Sequence, residues 1–122
     1  DLYTLMAELA AEPGGAERFR RLDMRRVAWL EEAIATVEAG VGSPRGFILP
    51  GDSPAGAALA LARTVVRRAE RRVAELAAAG QADNPALIPY MNRLSSLCFI
   101  LELEANRAAG RATSAAREVD GE

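Results

Sequence analysis

An all-α fold, an up-and-down helical bundle with four helices visible in the sequence, follows from three features. Apolar residues recur three and four positions apart in four separate stretches. Clusters of Gly and Pro separate those stretches. No segment alternates apolar and polar residues as a half-buried strand would. At 122 residues the chain suits one domain: a bundle over residues 1–110, then a flexible tail of small and polar residues, 111–122.

The first helix carries Leu2, Met6 and Leu9 on one face and stops at Pro13, Gly14 and Gly15. A second begins near Leu22, places Met24, Val27, Leu30, Ile34 and Val37 inward, and ends at Gly40 and Gly42. Trp29, the single Trp, suits a bundle edge or a subunit contact. Residues 41–52 form the long connection. It holds Phe47, Ile48 and Leu49 in a row, so it must pack down or face a ligand. Ser53 is an N-cap and Pro54 a first helical residue, opening a third helix that runs towards Gly80. Its apolar strip is narrow: Leu59, Ala62, Val66, Ala69, Val73 and Leu76. Asn84 as N-cap and Pro85 at the first position open the fourth helix, with Leu87, Met91, Leu94, Cys98 and Leu101 inward and Pro89 tolerated in the opening turns. Gly110 ends it.

Half of the residues are hydrophobic but only 5% are aromatic, so the core is built from Ala, Leu and Val on closely approaching helices. All 15 basic residues are Arg, and there is neither Lys nor His. Without His the chain lacks the usual general base and the commonest metal ligand. A net charge of -2 argues against a nucleic-acid partner. Cys98 is alone and has no base to activate it, so it reads as a small buried hydrophobe in a reducing, cytoplasmic setting. No apolar run is long enough to cross a membrane, and no signal segment is visible. The chain opens on Asp1 rather than Met, which leaves room for an upstream segment.

The third helix carries the polar chemistry. Arg63, Arg67 and Glu70 share one stripe; Arg68, Arg72 and Glu75 form a second, displaced by roughly 140°. Permanently charged, planar guanidinium groups suit phosphates and carboxylates, and a Glu one turn away fixes the direction of such a group. The same spacing also describes ordinary helix-surface ion pairs.

Three motifs in order, Phe47-Ile48-Leu49-Pro50-Gly51, the segment from Ala62 to Arg72, and Tyr90-Met91-Asn92-Arg93-Leu94-Ser95, resemble the trimeric, propanediol-utilisation type of ATP:corrinoid adenosyltransferase. The sixteen-residue step from Phe47 to Arg63 fits the same pattern, and the likeness covers most of residues 22–107. The resemblance implies a five-helix bundle whose first helix is missing or truncated here. It implies a homotrimer with a corrinoid (cobalamin) between subunits, and transfer of the 5′-deoxyadenosyl group of ATP to Co(I), with Mg²⁺. A reductase and a cobalamin-dependent acceptor enzyme would be the further partners.

Residue by residue, the resemblance makes Phe47 the corrinoid-binding wedge that displaces the lower cobalt ligand. Arg63, Arg67 and Glu70 become the catalytic set: Arg63 at the subunit interface, Arg67 on the ATP phosphates, Glu70 orienting Arg67 or the nucleotide. Arg68 takes an interface or structural role. Asn92 hydrogen-bonds the nucleotide from the facing helix. The chain departs from the family pattern at Ser96, where Asp is usual, at Leu103, where Arg is usual, and at Asp52, which replaces a Gly. The family's Gly, Thr and Lys-containing ATP loop has no counterpart. The residues leave three readings open: the adenosyltransferase, a non-catalytic nucleotide- or corrinoid-binding homologue acting as carrier or sensor, and a structural bundle in which the arginines tie subunits together.

Overall fold

A computed structural model of the chain describes residues 1–12 and 14–116. Among these described residues four α-helices follow in order: α1 Leu2–Ala10, α2 Met24–Val41, α3 Pro54–Ala78 and α4 Leu87–Ala108. A single 3₁₀ turn, Ala16–Phe19, sits between α1 and α2. Its four residues are too few for periodicity to reveal.

Helix α4 is the central element. Both α2 and α3 pack on it, while α1 packs on the 3₁₀ turn. This position explains why α4 buries more than the expected stripe: Tyr90, Ile100 and Leu103 join Leu87, Met91 and Cys98 inside. The main core lies at the end where α4 begins, with Leu5, Leu22, Val27, Leu30, Val73 and Leu87 meeting there. Burying these aliphatic side chains supplies the main stabilisation, about 1.5–3 kcal/mol for each one fully removed from water.

The caps follow the sequence where the local chemistry is simple. Ser53 Oγ accepts from the Gly56 N–H at 3.0 Å, and Pro54 opens α3. Asp23, unremarked in the sequence, does the same for α2 by accepting from the Arg25 N–H. At α4 the expected start shifts. Asn84 does accept from the Ala86 N–H at 3.0 Å, but regular helix begins only at Leu87. Pro89 has no N–H to bond back to residue 85, so the entry is a tighter turn closed by Leu87 N–H on the Asn84 carbonyl.

That turn is fixed by a buried carboxylate. Glu8 of α1 accepts from Asn84 Nδ2 at 3.0 Å and from Arg20 Nε at 3.1 Å, and Arg20 also pairs with Asp83. Glu8 is buried at 5% exposure, so it welds α1 to the turn before α4.

The expected flexible tail is corrected in part. Residues 111–116 do not hang free: they lie against the 41–52 connection. Ile48 and Ala115 form an antiparallel bridge, Leu49 N–H donates to the Ser114 carbonyl, and Ala116 N–H donates to the Phe47 carbonyl. Asp52 accepts from both the N–H and the hydroxyl of Ser114 at 2.8 Å. These bonds are mostly made by backbone, which side-chain identity does not announce. The rest of the expected tail, 117–122, lies outside the described residues.

Candidate functional site

Between α3 and α4 lies a small recess of about 210 Å³, lined by Arg63, Arg67, Asn92, Ser95, Ser96 and Phe99. The helices run antiparallel, so residues one and two turns apart on α3 face successive turns of α4. Arg67 Nη1 donates to Glu70 Oε2 at 2.6 Å. The other oxygen, Glu70 Oε1, accepts from Asn92 Nδ2 at 3.2 Å. Asn92 Oδ1 in turn accepts from Arg93 Nη2 at 2.6 Å and Nε at 3.2 Å. Only one orientation of the Asn92 amide serves both neighbours, its nitrogen towards the carboxylate and its oxygen towards the guanidinium.

The result is a continuous chain, Arg67, Glu70, Asn92, Arg93, bridging the two helices. Glu70 is largely buried and has both oxygens engaged, which suits it to hold a partner in place rather than to bind a ligand. Arg67 is half exposed, and Glu70 accepts one of its five N–H donors, so the others can face the recess. Asn92 is already engaged at both ends of its amide by side chains, with one N–H to spare. It therefore acts as the link between Glu70 and Arg93 at least as much as a direct contact.

Arg63 sits one turn before Arg67. Its guanidinium carbon lies 5.5 Å from the centroid of the Phe99 ring, and it makes no ion pair among the described residues. Ser96 Oγ is turned back to its own helix, donating to the Asn92 carbonyl at 3.4 Å, so it adds no charge to the recess. Ser95 bonds the same carbonyl at 2.7 Å. The balance of the recess is thus positive: Arg63, Arg67 and, behind them, Arg93, against the single Glu70. It is a place for an anion with several oxygens.

Arg68 is not part of this set. It is exposed on another side of α3, where Arg72 and Glu75 pair at 3.0 Å. Phe47 also stands apart from the recess. It lies on a larger hollow of about 600 Å³ formed by residues 41–48 with Leu103, Arg107, Arg111, Thr113, Ala115 and Ala116. Its ring is 88% exposed, although the bonds to 114–116 fix the backbone beneath it. Leu103, where the family pattern has Arg, forms part of the apolar floor of this hollow.

The sequence reading missed Arg93 as the outer member of the chain, and it missed Glu102. Glu102 is on α4, one turn past Phe99, and is 3% exposed; its Oε1 has no hydrogen-bond partner among the described residues. Burial raises its carboxyl pKa, against a smaller opposing effect of Arg63 and the Gly51 N–H, with Asp52 adding to the rise. Burial also raises the Cys98 thiol, keeping it protonated and inert, as its place in the apolar run implied. No group of three or more His, Cys, Asp or Glu side chains that could hold a metal ion exists among the described residues.

Comparison with known proteins gives a consistent result. The sequence profile of the Cobalamin adenosyltransferase family matches residues 1–105. A cobalamin adenosyltransferase from Cupriavidus metallidurans is 43% identical over 110 residues, which is 90% of this chain and 56% of that protein. Corrinoid adenosyltransferase PduO from Citrobacter freundii is 41% identical over 103 residues, 82% of this chain and 30% of that protein. The solved structure of a PduO-type ATP:corrinoid adenosyltransferase from Lactobacillus reuteri, a variant with a phenylalanine changed to alanine and complexed with cobalamin and ATP, superposes with a TM-score of 0.81. It is 30% identical and the match covers 96% of this chain and 67% of that one. The chain therefore spans little more than half of one of these sequence relatives and under a third of the other.

Proposed function

The chain belongs to the cobalamin adenosyltransferase family, and from that premise we propose that it moves the 5′-deoxyadenosyl group of ATP onto the reduced cobalt of a corrinoid. The observation that carries the reading is the Arg67, Glu70, Asn92, Arg93 chain beside Arg63 on one recess. When the corrinoid is bound as Co(I), it is the nucleophile for the 5′ carbon and triphosphate is the leaving group. The protein supplies placement and charge.

Arg67 and Arg63 hold the phosphates, so that two fixed donors meet the negative charge that builds on the departing triphosphate. Glu70 aims Arg67, and Asn92 ties Glu70 to α4, so sliding of α3 along α4 is resisted at the reacting end. The recess is smaller than the ~300–1,000 Å³ of sites that enclose a whole ligand. It accommodates phosphates, and the rest of the nucleotide lies beyond what residues 1–116 enclose. Mg²⁺ then reaches the site on the phosphates rather than on a protein cage. Phe47, exposed on a braced loop, is the contact for the corrinoid's lower face.

The same reading makes the protein a homotrimer with Arg63 and Arg68 near the contacts. The exposed apolar residues Leu61 and Val65 on α3 and Trp29 on α2 support it, because a lone bundle gains nothing by wetting them. Residues 1–110 act as a single bundle domain in this assembly. Among the described residues no helix is long and apolar enough to cross a membrane; the reading places the protein in the cytoplasm, supplied by a reductase and serving a cobalamin-dependent acceptor enzyme.

The test mixes the protein with ATP, Mg²⁺, cobalamin and a strong reductant and follows the visible spectrum. A protein-dependent cobalt-carbon product is the expected result. Cobalamin that binds without its lower ligand but is never alkylated would point to the carrier or sensor, and an unchanged spectrum would remove the corrinoid reading.

A further inference from the structure

Glu102 is a buried carboxyl that the reading above leaves without a role. Its carboxylate is buried at 3% exposure, one oxygen lacks any hydrogen bond among the described residues, and a buried carboxylate in that condition must either stay protonated or attract a cation. Its surroundings can be enumerated from the elements packed against it. From the loop before α3 come the Gly51 N–H and the Asp52 carboxylate; from α3 comes Arg63; on its own helix lies Cys98. Asp52 is engaged by Ser114, and Cys98 is a neutral thiol at ordinary pH. Arg63 is the one cation in this set.

Among the described residues Arg63 pairs with no carboxylate, and it rests on the Phe99 ring. Phe99 and Glu102 are three residues apart on α4, so they are neighbours on one face. Arg63, packed over Phe99, also bears electrostatically on Glu102. Phe99 borders the recess and Glu102 does not.

We propose that Glu102 is a positioning residue for Arg63, a second station one helical turn from Phe99 that competes with the phosphates in the recess for the same guanidinium. An ionised Glu102 draws Arg63 under the 51–52 loop; a protonated Glu102 leaves it over Phe99, at the recess. The proposal rests on the reading above in taking phosphates as the recess ligand. It goes beyond that reading by giving Arg63 two positions and coupling them to the protonation of a residue on α4. Burial favours the neutral form of Glu102 and Arg63 opposes it, the direction this requires.

Two measurements test it on the full chain. The first needs no ligand: the side-chain carboxyl of Glu102 is titrated by ¹³C NMR in the wild type and in Arg63→Met. If Arg63 is its counter-ion, the substitution raises the Glu102 midpoint further; an unchanged midpoint overturns the proposal. The second titrates inorganic tripolyphosphate into the wild type and Glu102→Gln by calorimetry between about pH 5.5 and 8. The variant is expected to bind about two- to fivefold more tightly at the upper end and to lose part of the pH dependence. Wild-type affinity and slope in Glu102→Gln would overturn the proposal. Glu102→Ala, which removes the charge without an amide, should behave as Glu102→Gln does. Wild-type protein that binds no tripolyphosphate would overturn the phosphate assignment of the recess instead, and the NMR result would still decide whether Arg63 and Glu102 are coupled.

Discussion

Replacing Gly56 with Ala tests the close packing of α3 on α4. A Cβ at Gly56 would sit 2.3 Å from Asn106 Oδ1, 2.9 Å from Ser53 Oγ and 3.3 Å from Asn106 Cγ. The amide cannot retreat easily. Asn106 is fully buried, its Oδ1 accepts from Ser53 Oγ at 2.7 Å and its Nδ2 donates to Thr113 at 3.2 Å. The helices must therefore part, and the Ser53–Asn106 bond, whose two oxygens both lie within 3 Å of the added methyl, breaks as well. Overpacking of this kind costs about 1–3 kcal/mol and loss of one buried hydrogen bond about 1 kcal/mol, while Ala in a helix returns about 1 kcal/mol over Gly. The net is a loss of about 2 kcal/mol, or a fall in Tm of roughly 8 °C for a domain of this size. Gly40→Ala is the matched control. Its Cβ would meet only Arg107 Nη2, at 3.9 Å, so propensity alone acts and stability rises by about 0.5–1 kcal/mol. Thermal and urea denaturation of the two variants should give opposite signs. A Gly56→Ala protein that melts at or above the wild type would refute the close packing of α3 on α4 at this point.

Arg67→Ala should abolish adenosyl transfer while changing stability by less than about 1 kcal/mol, because the half-exposed Arg67–Glu70 pair contributes little to folding; spectral turnover and a melt on the same sample check both halves. Glu8→Ala leaves Asn84 Nδ2 with only the Leu22 carbonyl and Arg20 with only Asp83, at a cost of about 1–3 kcal/mol read from the urea midpoint. Asp52 is held below its ordinary pKa first by the Ser114 N–H and then by the Ser114 hydroxyl. Its lowered folded pKa means that the tie is fully present above the unfolded carboxyl pKa and is lost as pH falls through the folded value. Exchange of the Ser114 amide should accelerate over that acid range in the wild type, and an Asp52→Ala variant should show fast exchange at every pH.

Local chemistry made much of this legible. Ser53 and Pro54 marked the start of α3 because a cap needs only its own neighbours, and the Arg67–Glu70 pair followed from helical spacing. The link from Glu70 to Asn92 depends on how two helices face each other, which no single-helix pattern records. Nothing in the sequence marks Glu8 or Glu102 as buried, because a carboxylate inside a helical stretch gives no sign of burial; only tertiary packing reveals it. Residues 111–116 were misread for a related reason, their bonds being made largely by backbone. The resemblance gave Phe47 to the corrinoid and the arginines to ATP, and in this chain the two line separate concavities.

The polar recess belongs entirely to two helices that are consecutive in the chain, and this bears on the order in which the molecule assembles. The Asn92–Glu70 bond closes a span of 22 residues, whereas the Glu8–Asn84 weld closes one of 76. Shorter closures cost less chain entropy and form sooner. The arginines of the recess should thus acquire their geometry in an early α3–α4 hairpin, with α1 arriving last. In pulse-labelled hydrogen exchange, amides of α3 and α4 would gain protection ahead of those in α1. Substitutions in α1 would then mainly speed unfolding, leaving the rate at which the recess forms almost untouched.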